Sequence, residues 1–175
     1  MTAALLIALL SAHAGELAGV TLPDTATVAG SAVHLNGMGL REKYYFDVYV
    51  GALYLASRTE SDAAAIRADE PKRIVMHFLY AEIPKPKLVG SFEEGFSSAD
   101  ASLSASIDQL NGWMETVHAG DEILFDYAPG SGTTVTVKGQ QKGTIAGSAF
   151  MQALWSVYLG PKPPTAKLKR GMLGR

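Results

Sequence analysis

Alternation of apolar and polar positions marks out the strands of this chain. Residues 31–41 read as one strand, and residues 46–55 are nearly continuous in apolar and β-favouring side chains, as in a strand covered on both faces. Glu42-Lys43-Tyr44 supplies the polar break of a hairpin between them. Residues 73–80 alternate, with Ile74, Met76, Phe78 and Tyr80 on one face and Val75, His77 and Leu79 on the other. Residues 122–127, 133–138 and 141–146 form a β-meander, divided by Pro129-Gly130-Ser131-Gly132 and by Lys138-Gly139-Gln140. Residues 15–30 are a polar lead-in to which no regular element is assigned.

A second period, of three and four residues, marks the helices. Residues 61–68 are rich in alanine, with Ser61 and Asp62 as caps ahead of Pro71. A helix over residues 87–96 follows Pro84 and Pro86. Residues 101–117 are amphipathic: Leu103, Ile107, Leu110, Met114 and Val117 build one stripe, and Gly120 stops it. From Ser148 a helix turns Phe150, Leu154, Val157 and Tyr158 inward and ends at Gly160-Pro161, and Pro164-Thr165 opens a last short one. Early strands, central helices, a meander and closing helices predict an α+β fold, a mostly antiparallel sheet with a layer of helices on one side.

Composition narrows the class. The chain has 175 residues, 47% of them apolar and 18% charged, which suits one domain closing its own core. A formal net charge of −2 leaves no cationic surplus for a phosphate backbone, so nucleic acid is not an expected partner. The basic cluster Lys162, Lys167, Lys169, Arg170 and Arg175 reads as complementing the negative end of a terminal helix, with an anionic membrane contact as the alternative. Residues 1–14 hold an apolar run from Ala3 to Leu10 and an Ala-x-Ala ending, an export signal cleaved before Gly15, though no positive charge precedes the run. The expected product is a periplasmic domain over residues 15–175. No later segment reaches the roughly 20 apolar residues that spanning a bilayer needs.

Familiar catalytic signatures are missing. There is no His-Glu-x-x-His, Gly-x-Ser-x-Gly, Walker or Rossmann glycine pattern, and the absence of cysteine excludes thiolate nucleophiles and thiolate metal sites. His34, His77 and His118 lack metal-ligand spacing, and His77 is expected to bond a backbone or carboxylate group within a strand. Gly130-Ser131-Gly132 reads as turn chemistry, and Trp113 and Trp155 as core. No cofactor, metal or catalytic residue is assigned.

One constellation stands out, Gly37-Met38-Gly39-Leu40-Arg41 followed by Val48-Tyr49-Val50-Gly51-Ala52-Leu53-Tyr54-Leu55. A guanidinium turned inward among apolar side chains requires an anion. Arg41 and Tyr49 share a face of one continuous strand, or sit opposite each other if the chain turns between them. Either geometry lets a fork of Arg41 donors and the Tyr49 hydroxyl meet a bound carboxylate. Internal pairing of Arg41 with Asp47 or Glu42 is the competing reading.

These segments, with Gly120-Asp121, Pro129 to Thr133, Gly147 to Phe150, Tyr158-Leu159-Gly160-Pro161-x-Pro and Lys167-Leu168-Lys169, resemble bacterial chalcone isomerase-like proteins in order over most of residues 15–175. The resemblance implies an open-faced β-sandwich with a helical layer, shared by plant chalcone–flavanone isomerases and fatty-acid-binding relatives. Arg41 then matches the arginine of the ligand cleft. Tyr49 stands where the isomerases carry a threonine, as in the fatty-acid binders, and Val157 and Tyr158 stand where they carry a threonine or serine.

Three functions follow as expectations. The first is non-catalytic binding of a fatty acid or similar small amphipathic carboxylate by Arg41 and Tyr49. The second is a cofactor-free isomerase or cyclase of the chalcone isomerase type, with Arg41 stabilising developing charge. The third is an accessory interaction protein with a vestigial cleft.

Overall fold

The structure, a computed structural model, describes residues 14–175. The expected export segment, residues 1–14, lies outside the described residues apart from Ala14.

Strands β1 (Ala14–Leu17) and β2 (Val20–Pro23) form a hairpin, and β3 (Thr25–Val28) pairs with the long β4 (Ser31–Lys43). Both hairpins turn on an Ala-Gly pair, Ala18-Gly19 and Ala29-Gly30, with all four residues at positive φ, as tight two-residue turns require. β5 (Phe46–Leu55) returns along β4, and α1 (Asp62–Arg67) is capped by the Ser61 hydroxyl, which accepts from the Ala64 N–H. β6 (Lys72–Phe78) and β7 (Glu82–Ile83) precede α2 (Lys85–Gly95), whose first turn contains Pro86. A 3-10 turn at Ala101–Leu103 leads into α3 (Ser104–Trp113), then β8 (Val117–His118). The meander β9 (Glu122–Ala128), β10 (Gly132–Val137) and β11 (Gln140–Ile145) is followed by α4 (Ser148–Leu159) and α5 (Ala166–Met172).

Seven strands form one antiparallel sheet in the order β11-β10-β9-β6-β5-β4-β3. Alternation in β5 sorts its two faces cleanly. Tyr49, Leu53 and Leu55 belong to the core under the helices, with Phe92 of α2, Leu110 of α3, Leu154 of α4 and Leu168 of α5. Val50, Ala52 and Tyr54 belong to a second core on the opposite face, where Val20 and Leu22 of the β1–β2 hairpin cover them. Both faces of β5 are therefore dry, which explains its unbroken apolar run.

The helix α5 lies directly on β4 because Gly37 and Gly39 carry no side chain. A Cβ at Gly39 would overlap the Leu168 carbonyl, and one at Gly37 would overlap that of Gly171. The Asn36 amide fixes the same contact, donating to the Thr59 and Met172 carbonyls and accepting from the Thr59 N–H. The glycine-rich run ahead of Arg41 is thus a bed for a helix, and Arg41 follows on the same face.

Three expectations need correction. Residues 15–30 contain three strands, β1 to β3, whose turns use alanine where Asn-Gly or Asp-Gly is the familiar signal. The helix expected over residues 101–117 ends at Trp113, and Val117 belongs to β8, where it pairs with Ile83. Val117 is fully buried, so its apolar character fitted the helical stripe while its position comes from tertiary pairing. Tyr80 lies beyond the end of β6 and is 40% exposed, not part of the strand face.

Candidate functional site

Arg41 and Tyr49 sit directly opposite each other in the β4–β5 ladder. The register shifts after Arg41, so Glu42 faces Asp47. The Glu42 carboxylate accepts from Lys167 Nζ of α5 at 2.6 Å in a solvent-exposed pair. Arg41 Nη1 donates to the Glu42 backbone carbonyl at 2.6 Å. Among the described residues no carboxylate pairs with Arg41, although it is half-buried. The other half-buried arginine of the sheet, Arg73, has its fork filled by both oxygens of Asp126, at 2.5 and 2.6 Å.

Tyr49 is 6% exposed and packs edge-on against Phe78, with ring centroids 5.7 Å apart. Burial pushes its phenol well above the ordinary tyrosine range, only partly offset by the Arg41 guanidinium, so at neutral pH it is a proton donor and not a base. Its hydroxyl has no hydrogen-bonding partner among the side-chain contacts of the described residues, which leaves it available to an incoming acceptor. Tyr158, on α4, is also buried and held neutral, and its hydroxyl donates to the Met76 sulfur at 2.9 Å. A thioether is a weak acceptor, so that hydroxyl is only lightly engaged.

These groups border a broad, half-open depression of about 1610 Å³ lined by residues of the sheet and the helices. Met76 and Phe78 of β6, Leu88 and Phe92 of α2, and Val157 and Tyr158 of α4 form its apolar floor, each at most 5% exposed and packed in the core beneath it. Tyr44, Phe46 and Tyr80 stand at the rim on the Arg41 side. The volume exceeds the roughly 300–1,000 Å³ of compact small-molecule pockets because the depression is broad and open to solvent. A guanidinium and a phenol hydroxyl, both hydrogen-bond donors, stand together beside apolar side chains.

The other candidate residues lie elsewhere. His77 Nδ1 lies 2.8 Å from Glu122 Oε1 across β6 and β9, the carboxylate bond expected of it. His118 meets Glu82 and Asp121 at the surface, and His34 is exposed. Gly130-Ser131-Gly132 turns β9 into β10. Trp155 is buried on the inner side of α4, Trp113 packs against Gly143, and neither lines the depression. In the basic cluster, Lys167 and Lys169 are engaged by Glu42 and Asp62, which ties α5 to its neighbours. Sequence reasoning did not foresee the contributions of Met76, Leu88 and Phe92, since an apolar position looks the same whether it meets another side chain or a cavity.

The family described as chalcone isomerase-like matches residues 14–174. This chain belongs to it. Among solved structures, a fatty-acid binding protein of Arabidopsis thaliana shares the fold with a TM-score of 0.74 at 15% sequence identity, over 92% of this chain and 96% of the other. At that identity the likeness establishes the chalcone isomerase-like fold and nothing finer. No curated protein sequence matches the chain. The open-faced β-sandwich expected from the resemblance is therefore the fold of this protein, with helices over one face of the seven-stranded sheet and only a small hairpin over the other.

Proposed function

We propose that this chalcone isomerase-like protein binds a fatty acid or similar small amphipathic carboxylate without altering it. Arg41 and Tyr49 hold the carboxylate, and the apolar interior takes the chain. The observation that carries this reading is the half-buried Arg41 guanidinium at an apolar cavity with no acid partner among the described residues. A half-buried cation facing low-dielectric surroundings is stabilised by an anion, and a fork of N–H donors beside a hydroxyl matches a carboxylate. The similar Arabidopsis structure is that of a fatty-acid binding protein, which supports the same ligand class.

An export-type segment at residues 1–14 and the lack of cysteine support a periplasmic location for the mature domain. Intact-mass measurement of protein recovered by osmotic shock tests this, with cleavage before Gly15 expected and retention of residues 1–14 in the cytosolic fraction contradicting it.

Native mass spectrometry with added palmitate tests the ligand class. The expected result is a one-to-one complex with wild-type protein that is largely lost in Arg41→Ala. No adduct with palmitate, or equal retention by both proteins, would contradict the proposal.

A further inference from the structure

The large apolar side chains exposed among the described residues are gathered at one place, the Arg41 end of the cavity. Tyr44 is 86% exposed, Tyr45 100%, Phe46 57% and Tyr80 40%. The first three form the tip of the β4–β5 hairpin, and Phe46 packs edge-on against Tyr80 with ring centroids 5.7 Å apart. Isolated exposed aromatics are ordinary; a contiguous set around the mouth of an apolar cavity is a surface that meets something.

The backbone at the tip points the same way. Tyr44 and Tyr45 are the two turn residues between the paired Lys43 and Phe46, and Tyr44 has φ 57. That left-handed conformation suits glycine or asparagine and is costly for a bulky side chain. The turns at Ala29-Gly30 and Lys138-Gly139 also put a non-glycine residue first, at φ 48 and 52, but follow it with glycine where this turn has Tyr45. Here the chain keeps two water-exposed rings in a turn that smaller residues would form more readily, a local inconsistency of the kind that marks functional surfaces.

Charge selects the partner. Lys169 pairs with Asp62, after which the lining of the depression keeps Arg41, Lys43, Arg67, Lys87 and Lys162 against Glu82, Glu94 and Asp100, with the exposed Asp47 beside Phe46. That local cationic surplus occurs on a chain whose formal net charge is −2. Tyrosine rings flanked by lysines suit the headgroup layer of an anionic bilayer, where an aromatic ring sits at the boundary and each cation gains from the surface potential.

We propose that the β4–β5 hairpin tip, with Tyr80 beside it, docks the cavity mouth onto an anionic phospholipid surface. The rings of Tyr44, Tyr45 and Phe46 enter the headgroup boundary and Lys43, Lys87 and Lys162 face the lipid phosphates. This goes beyond binding of an acyl ligand and is measured separately from it, since docking reads on vesicles while ligand retention reads in vesicle-free solution.

Flotation of the purified protein with phosphatidylcholine vesicles, with and without phosphatidylglycerol, tests the proposal. The wild-type protein is expected to float with phosphatidylglycerol vesicles and to be released by salt. The double variant Tyr44→Asn, Tyr45→Ser is expected to float about tenfold less. Asparagine suits the left-handed position, and circular dichroism confirms that the variant is folded. The single variant Lys43→Glu is a second probe at an exposed site and is expected to weaken flotation while leaving the turn unaltered. The proposal is overturned if the wild type floats with neither vesicle, or if both variants float as well as the wild type. It is also overturned if sedimentation velocity shows a wild-type dimer that the double variant abolishes and neither protein floats.

Discussion

The two ends of the β5–β6 strand pair each carry a cation on or beside the helix-facing side, and the fold treats them in opposite ways. At one end Leu55 faces Lys72, which is fully buried. Its ammonium donates to the carbonyls of Ala65, Ile66 and Ala68, closing the C-terminus of α1, and it lies 5.2 Å from the Trp155 ring centroid and 5.9 Å from that of Tyr127. At the other end Tyr49 faces Phe78, and Arg41 beside it has one backbone carbonyl and an open cavity. A lysine can be satisfied entirely by helix-end carbonyls and ring faces, and that end is structural. The guanidinium at the open end has donors that no protein carboxylate among the described residues fills.

The contrast is broken most forcefully at the closed end. Trp155→Ala empties a fully buried site and is expected to cost about 3–5 kcal/mol in urea unfolding, with no cavity ligand able to replace the packing. Lys72→Met leaves the α1 carbonyls without their donor and is expected to cost about 1–3 kcal/mol.

The pH dependence of the same site sharpens the comparison. Burial pushes the Lys72 ammonium down from 10.5 to about 8, so between those values the unfolded chain binds more protons than the folded one. Stability is therefore expected to rise as pH goes from about 8 towards 10. Above 10 the trend reverses, because burial first, aided at Tyr127 by the Asp69 carboxylate, holds the Tyr54 and Tyr127 hydroxyls protonated up to about 12 in the folded state. Urea titrations across this range check both slopes, and Lys72→Met is expected to lose the rise while keeping the fall.

Effects at the open end are smaller on stability and larger on binding. Arg41→Ala is expected to change unfolding free energy by no more than about 0.5 kcal/mol. Its palmitate affinity, measured by calorimetry, is expected to fall by about tenfold or more, as for loss of a charged hydrogen-bond donor. Tyr49→Phe removes a hydroxyl with no protein partner, so stability is expected to stay within about 0.5 kcal/mol and affinity to fall only about fivefold.

The strands β4 to β6, the meander and α4 were legible because their apolar period, β-branched content and Gly or Pro boundaries agree with one another. The β1–β3 region was not, because Ala18-Gly19 and Ala29-Gly30 adopt a geometry that alanine rarely announces. The end of α3 was overrun because Val117 satisfied a helical spacing by coincidence and is fixed by Ile83 of a distant strand. At the site, the sequence pointed to Arg41 through the chemical oddity of an arginine among apolar residues. What it left open, whether Glu42 would pair with Arg41, depended on Lys167 arriving from 125 residues away. The glycines before Arg41 drew notice as part of a binding motif, and their role is to seat α5.

A crystal structure of the protein grown with palmitate tests the central claim most directly. A carboxylate at hydrogen-bonding distance, about 3 Å, from both the Arg41 guanidinium and the Tyr49 hydroxyl, with the chain running inward past Phe78 and Phe92, is the predicted result. An empty cavity with Arg41 turned onto Asp47, or a fatty acid bound with its carboxylate away from Arg41, would contradict it.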